Sequence, residues 1–218
     1  MTACSYRLSP KINRNLSRPA FGTHGTSDNA IRMKILLHTC CAVCLAHVSG
    51  ELRTRGVQFT AYFYNPNVHP LIEWRKRLLA TRLLSQREDV PLDVDETYGL
   101  VEFLRAVVGR EEVPSRCEVC YTMRLSRTAE RAKALGFDGF STTLLASTRQ
   151  DVGRIRRIGA DISKKSGLVF LDDDWRDTQD AGMEIARRMS LYRQQYCGCV
   201  YSEYDRFKDT RKRGPQSR

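Results

Sequence analysis

At 218 residues, with 41% of them hydrophobic, the chain is long enough to bury a real core and is expected to form one domain with tails. No apolar run approaches the roughly 20 residues of a membrane-spanning helix, which predicts a soluble protein with no membrane partner. The net charge of +11 lies largely at the ends, since residues 1–32 and 208–218 each carry five basic side chains against one acid. That basicity points to a polyanionic partner but says little about the folded part.

Residues 1–32 are rich in Ser, Asn and Arg and have no clear amphipathic period. A transit peptide, a disordered extension and translation starting at Met33 all fit. The segment is read as a basic, disordered extension, with Cys4 incidental. Ile35, Leu36 and Leu37 suit a short buried strand that His38 and Thr39 end. Cys40, Cys41 and Cys44 follow, and Leu45, Ala46, His47, Val48 and Leu52 mark one face of a helix. Val57–Tyr64 is β-branched and aromatic, a second strand. Asn65-Pro66-Asn67-Val68-His69-Pro70 reads as a turn. A helix is expected over Leu71–Glu88, a strand over Val90–Val94 and a helix over Tyr98–Val108. Cys117 and Cys120 open a further helix that Gly136 ends. Phe137–Leu145 reads as a strand leading into Ser147-Thr148-Arg149-Gln150-Asp151, with a helix over Asp151–Ser166 and a strand over Leu168–Leu171. A last long helix is expected over Thr178–Gln194, and Cys197-Gly198-Cys199 closes the domain.

Strands that alternate with helices predict a single α/β domain over residues 33–207. Its sheet should be mostly parallel with helices on both faces, Rossmann-like and nucleotide-hydrolase-like, ahead of a basic tail, 208–218. Ligands of such sheets bind at the turns that leave the carboxyl ends of strands. Here the first turn offers thiols where a phosphate cradle would offer glycines.

Eight cysteines could suggest a secreted disulfide scaffold, but such scaffolds are usually smaller than 218 residues and no signal peptide is evident. The spacings CC-x-x-C, C-x-x-C and C-x-C favour a metal or redox site in a reducing, cytoplasmic compartment. Cys40, Cys41, Cys117 and Cys120 make a four-thiolate set from two turns, and the helix dipole should lower the pKa of the second pair. Spacing does not choose between zinc and an iron–sulfur cluster. Cys197 and Cys199 could close a small, easily reduced disulfide or ligate a second metal, with Gly198 relieving backbone strain. Cys44 could join the cluster, a second metal or neither. His38 is balanced between a core histidine and an active-site role. Asn65 could simply form the turn, and Tyr62, Tyr64 and Tyr121 read first as packing residues. Arg116, Arg124, Arg149, Arg154, Arg156, Arg157, Lys164 and Lys165 form a solvated face or hold phosphates.

The segments LLHTCCAVC, FYNPNVHP, PSRCEVCYTMRL, FDGFSTTLLAS and YCGCVYSEYDRF, in order over about Met33–Phe207, give a specific resemblance to the QueH-type, cobalamin-independent epoxyqueuosine reductases. The resemblance implies reduction of an epoxide on a modified 7-deazaguanine at the tRNA wobble position, giving queuosine. It implies a 4Fe-4S cluster on Cys40, Cys41, Cys117 and Cys120. It also implies a redox-active pair at Cys197 and Cys199, or one additional iron there with Cys44 as a further candidate ligand. It implies no cobalamin, a tRNA partner carrying epoxyqueuosine and an external electron donor. His38, Tyr64, Asn65, Arg149 and Gln150 are the expected substrate contacts. Two departures stand out: Val43 replaces an expected proline, and Thr148-Arg149 replaces an expected Pro-Tyr before Gln150. An ATP-dependent tRNA-modifying α/β enzyme and a zinc-bearing tRNA-binding module are the rival readings.

Overall fold

The computed structural model describes residues 33–176 and 179–209. The expected extension 1–32, Cys4, Thr178 at the start of the expected last helix, and the tail beyond residue 209 lie outside the described residues. Five parallel strands form the sheet: β1 (Lys34–His38), β2 (Gln58–Phe63), β3 (Leu92–Val94), β4 (Gly139–Thr142) and β5 (Val169–Phe170). Their order is β3-β2-β1-β4-β5. The helices are α1 (Ala42–Thr54), α2 (Leu71–Arg87), α3 (Leu100–Ala106), α4 (Ser115–Ala134), α5 (Val152–Ser166), α6 (Gln179–Arg188) and α7 (Val200–Phe207). Among the described residues, no helix is long and apolar enough to cross a membrane.

The strand order fixes the layers. From β1 the chain steps outward to β2 and β3, then returns to lay β4 on the other side of β1. Right-handed crossovers therefore put the helices of the two halves on opposite faces. Accordingly α1 packs with α2 and α6, and α4 packs with α5. β1 is covered on both sides, which is why Ile35, Leu36 and Leu37 form an unbroken apolar run with no exposure at all. Gly182 lets α6 lie close on α1, since a Cβ there would fall 2.7 Å from both His47 Cβ and Val43 O.

Three expectations are corrected. The strand expected to Leu145 stops at Thr142, and Thr143–Ala146 turns as a 3-10 helix. Thr142 causes the turn: its side chain accepts the Leu144 N–H at 3.2 Å. The last long helix ends at Arg188 instead of Gln194. Ser190 takes a left-handed φ of +51°, Leu191 N–H bonds Ala186 O and Ser190 N–H bonds Arg187 O, closing α6 in a Schellman motif. Finally, Cys197 and Cys199 sit ahead of a helix that the sequence reading did not find, α7.

Candidate metal centre

Strand order also gives the site its address. The winding reverses between β1 and β4, and an open α/β sheet receives ligands at the carboxyl ends of such strands. β1 ends in the turn Thr39-Cys40-Cys41, which is tied down from both sides. Thr39 N–H donates to Tyr62 O at 2.8 Å, Asn65 Nδ2 to Thr39 O at 2.9 Å and Cys40 N–H to Thr143 Oγ1 at 3.1 Å. His38 is fully buried, with Nδ1 2.8 Å from Thr142 Oγ1 and Nε2 3.1 Å from Tyr64 O. A carbonyl can only accept, so Nε2 carries the proton and Nδ1 accepts from the Thr142 hydroxyl. Burial, helped by the charge of Arg124, pushes the His38 pKa down to about 3. His38 is thus a neutral brace joining the ends of β1, β2 and β4.

On this floor, the sulfurs of Cys40, Cys41 and Cys44 all lie within 4.8 Å of one another. Cys44 joins because α1 brings it about one turn past Cys41, on the same side. Three sulfurs this close cannot all ionise without a cation among them. Hydrogen bonds from Cys40 and Cys44, with the charge of Arg77, hold the Cys41 thiol well below its ordinary pKa. The contact with Cys41 pushes Cys40 up, and the contacts with Cys40 and Cys41 push Cys44 well up. Three buried soft donors around one point fit a thiophilic metal.

The second pair lies in the first turns of α4. Desolvation outweighs the expected helix-dipole effect: burial raises the Cys117 thiol and pushes Cys120 up to about 12. Neither joins the tight triad, the one such group among the described residues. Cys197 and Cys199 are free thiols, the first exposed and the second buried. Between them Gly198 has φ +140°, and a Cβ there would meet Val68 Cγ2 at 3.0 Å and Arg77 Nη1 at 3.1 Å, so only glycine fits. Cys199 caps α7, its sulfur accepting the Ser202 N–H at 3.4 Å.

A cavity of about 360 Å³ lies between this floor and a roof made by residues 193–197. The roof has no regular structure and is held by side chains. Arg77 donates to Tyr196 O and Cys197 O, each at 2.9 Å. Gln194 Nε2 donates to Cys41 Sγ at 3.0 Å, and Gln150 Nε2 to Cys197 Sγ at 3.2 Å. The Tyr121 hydroxyl in turn donates to Gln150 Oε1 at 2.8 Å.

Of the residues expected at the site, Cys40, Cys44, Cys197, Arg149 and Gln150 line this cavity. Tyr64 does not: it stacks on Tyr62 and lines a separate cavity with Asp95, Glu102 and Glu130. Asn65 and His38 are buried braces. The expected basic face is divided. Arg154 pairs with Glu118 at 2.8 Å and Asp151 at 3.2 Å, and Arg156 lies 3.8 Å from Asp174. Arg116 and Arg124 are buried instead of solvated. Sequence reasoning missed Arg77, Arg193 and Gln194. It also misplaced Arg124, although the spacing 117, 120, 124 puts that arginine on the cysteine face of α4.

Fold and site together define a parallel α/β protein with a cysteine-rich, metal-competent cavity at the switch point of its sheet. The chain belongs to the family described as epoxyqueuosine reductase QueH, whose model matches residues 35–205. Among its relatives is the epoxyqueuosine reductase QueH of Dehalococcoides mccartyi, 38% identical over 80% of this chain and 94% of the relative. That of Thermotoga maritima is 34% identical over 83% of this chain and 97% of its own, and that of Haemophilus influenzae 34% identical over 84% and 77%. These relatives carry the name of a reductase, and the family is one of oxidoreductases.

Proposed function

We propose that this chain reduces epoxyqueuosine to queuosine at the tRNA wobble position, in the cytoplasm. The observation that carries this reading is a thiol-lined, arginine-rimmed cavity at the switch point of a family named for the reaction. Residues 33–207 are the catalytic domain, and 1–32 and 208–218 are basic extensions.

Removing the epoxide oxygen as water, with formation of the alkene, takes two electrons and two protons. Cys40, Cys41, Cys117 and Cys120 would hold a 4Fe-4S cluster, which supplies electrons one at a time when bound. Cys197 and Cys199, as a dithiol closing to a disulfide, release two electrons and two protons. Alternatively, with Cys44, they hold one additional iron. An external electron donor restores the reduced state, and no cobalamin takes part. Gln150, fixed by Tyr121, orients the Cys197 sulfur at the cavity wall. Arg149 and Arg193, exposed at the cavity, meet the phosphates of the anticodon arm.

The test is direct. Anaerobically purified protein is incubated with a chemical reductant and tRNA carrying epoxyqueuosine, and the nucleosides are then separated and weighed by mass spectrometry. Queuosine should form with the wild type and not with Cys197→Ser. A loaded wild-type protein that leaves epoxyqueuosine untouched sinks the reading.

A further inference from the structure

Two arginines are buried beside the cavity, and they differ in what balances them. Arg77 has a carboxylate: its Nε lies 2.7 Å from Glu73 Oε1, both side chains being almost wholly buried. Arg124 has none among the described residues, although it is 1% exposed. Its Nη2 lies 3.1 Å from Cys120 Sγ, its Nε 3.3 Å from Cys120 O, and its guanidinium carbon 5.9 Å from the centre of the Tyr121 ring. A guanidinium does not shed its proton, and an uncompensated buried charge is strongly disfavoured. The fold therefore keeps Arg124 for an anion it does not itself supply as a carboxylate.

Arg124 touches the Cys120 sulfur and lines the same cavity as Cys40 and Cys197, so each of the three cysteine groups places a residue beside it. An RNA phosphate is the wrong anion for a side chain this buried. A cysteine-ligated iron–sulfur centre fits, because its thiolates and sulfides carry net negative charge that grows by one on reduction.

We propose that Arg124 is the resident counter-ion of the cysteine-ligated centre, a positioning residue that favours loading of the centre and holds its reduction potential up. This rests on the iron–sulfur reading given above. A fixed positive charge in a water-poor site stabilises the reduced, more negative state more than the oxidised one. Arg77 shares its charge with the Glu73 carboxylate and contributes less.

The experiment measures the midpoint potential of the loaded full-length protein by spectroelectrochemistry, with iron content, for wild type, Arg124→Gln and Arg124→Lys. Arg124→Gln should shift the equilibrium at least tenfold against reduction, about 59 mV more negative for a one-electron couple. Arg124→Lys, which keeps the charge, should stay nearer the wild type. If Arg124→Gln takes up no iron, Arg124→Lys must restore uptake. Equal loss in both variants would show that shape and not charge matters, and would overturn the proposal. So would an iron-loaded Arg124→Gln with an unchanged potential, which leaves the iron–sulfur reading standing. A wild type that holds no iron sinks both.

Discussion

The floor and the roof of the cavity are built by different physics. The floor is the end of a parallel sheet, where His38, Asn65, Thr142 and Thr143 tie the turn from three strands through buried bonds. The roof, residues 193–197 within an irregular stretch from Leu191 to Cys199, has no ladder of its own and hangs from Arg77, Gln194 and Gln150. A site built this way has one rigid half and one adjustable half. The difference assigns roles: the floor should hold the metal, and the roof should meet the substrate and exchange electrons.

The sharpest way to break this division is to exchange one sulfur for oxygen on each side. Cys41→Ser on the floor should abolish the visible iron–sulfur absorption and the bound iron, since oxygen is a poor substitute for thiolate. Cys197→Ser on the roof should keep both and stop queuosine formation. Equal iron loss in the two variants would merge the halves into a single ligand set.

Next in size is the anchor of the roof. Arg77→Met leaves the buried Glu73 without its partner and should cost about 3–5 kcal/mol in denaturant unfolding. Adding Glu73→Leu should recover much of that stability, because the pair leaves together. It should not recover activity, because the bonds to Tyr196 O and Cys197 O stay lost. Recovery of both would show that the roof needs no tether.

A smaller effect is expected from Thr142→Val on the floor. The buried Nδ1 of His38 and the Leu144 N–H then lose their partner. Such an orphaned group costs about 1–3 kcal/mol, seen as a lower melting temperature. An unchanged melting temperature would remove His38 and Thr142 from the brace.

The smallest at neutral pH is an effect seen on acidification, at the junction of floor and roof, where the His69 backbone N–H donates to Gly198 O at 2.7 Å. Burial among Tyr98 and Phe103 lowers the His69 pKa from 6.5 to about 4. A depressed folded pKa means that stability is full above the unfolded value and declines as pH falls from about 6.5 towards 4. His69→Phe should flatten that part of the stability–pH curve, and an identical curve would contradict the assignment.

The first two strands of the floor were legible in the sequence, and of the roof the Cys197–Cys199 pair was, but not its course. Ile35–Leu37 and Val57–Tyr64 announce buried strands, and the cysteines after the first strand mark the switch-point turn. The roof begins where Ser190 takes a left-handed conformation usually given to glycine, so nothing in the composition signals the end of α6. Arg77 and Arg124 read as surface charges, because burial of an arginine depends on partners from distant elements: Glu73 and the roof carbonyls for one, the cysteines for the other. The Thr142-Thr143 pair carried a usable signal, since a threonine that bonds its own backbone ends a strand.

The roles of floor and roof depend on an iron–sulfur centre held by the cysteines of this cavity. Iron, zinc and acid-labile sulfide per chain, determined on full-length protein purified without oxygen and read beside its visible spectrum, decide whether that centre is there. The expected result is a brown protein with about four sulfides per chain, matched by about four irons, or one more where Cys44, Cys197 and Cys199 hold the additional iron. A colourless protein with tightly bound zinc and no sulfide would contradict it.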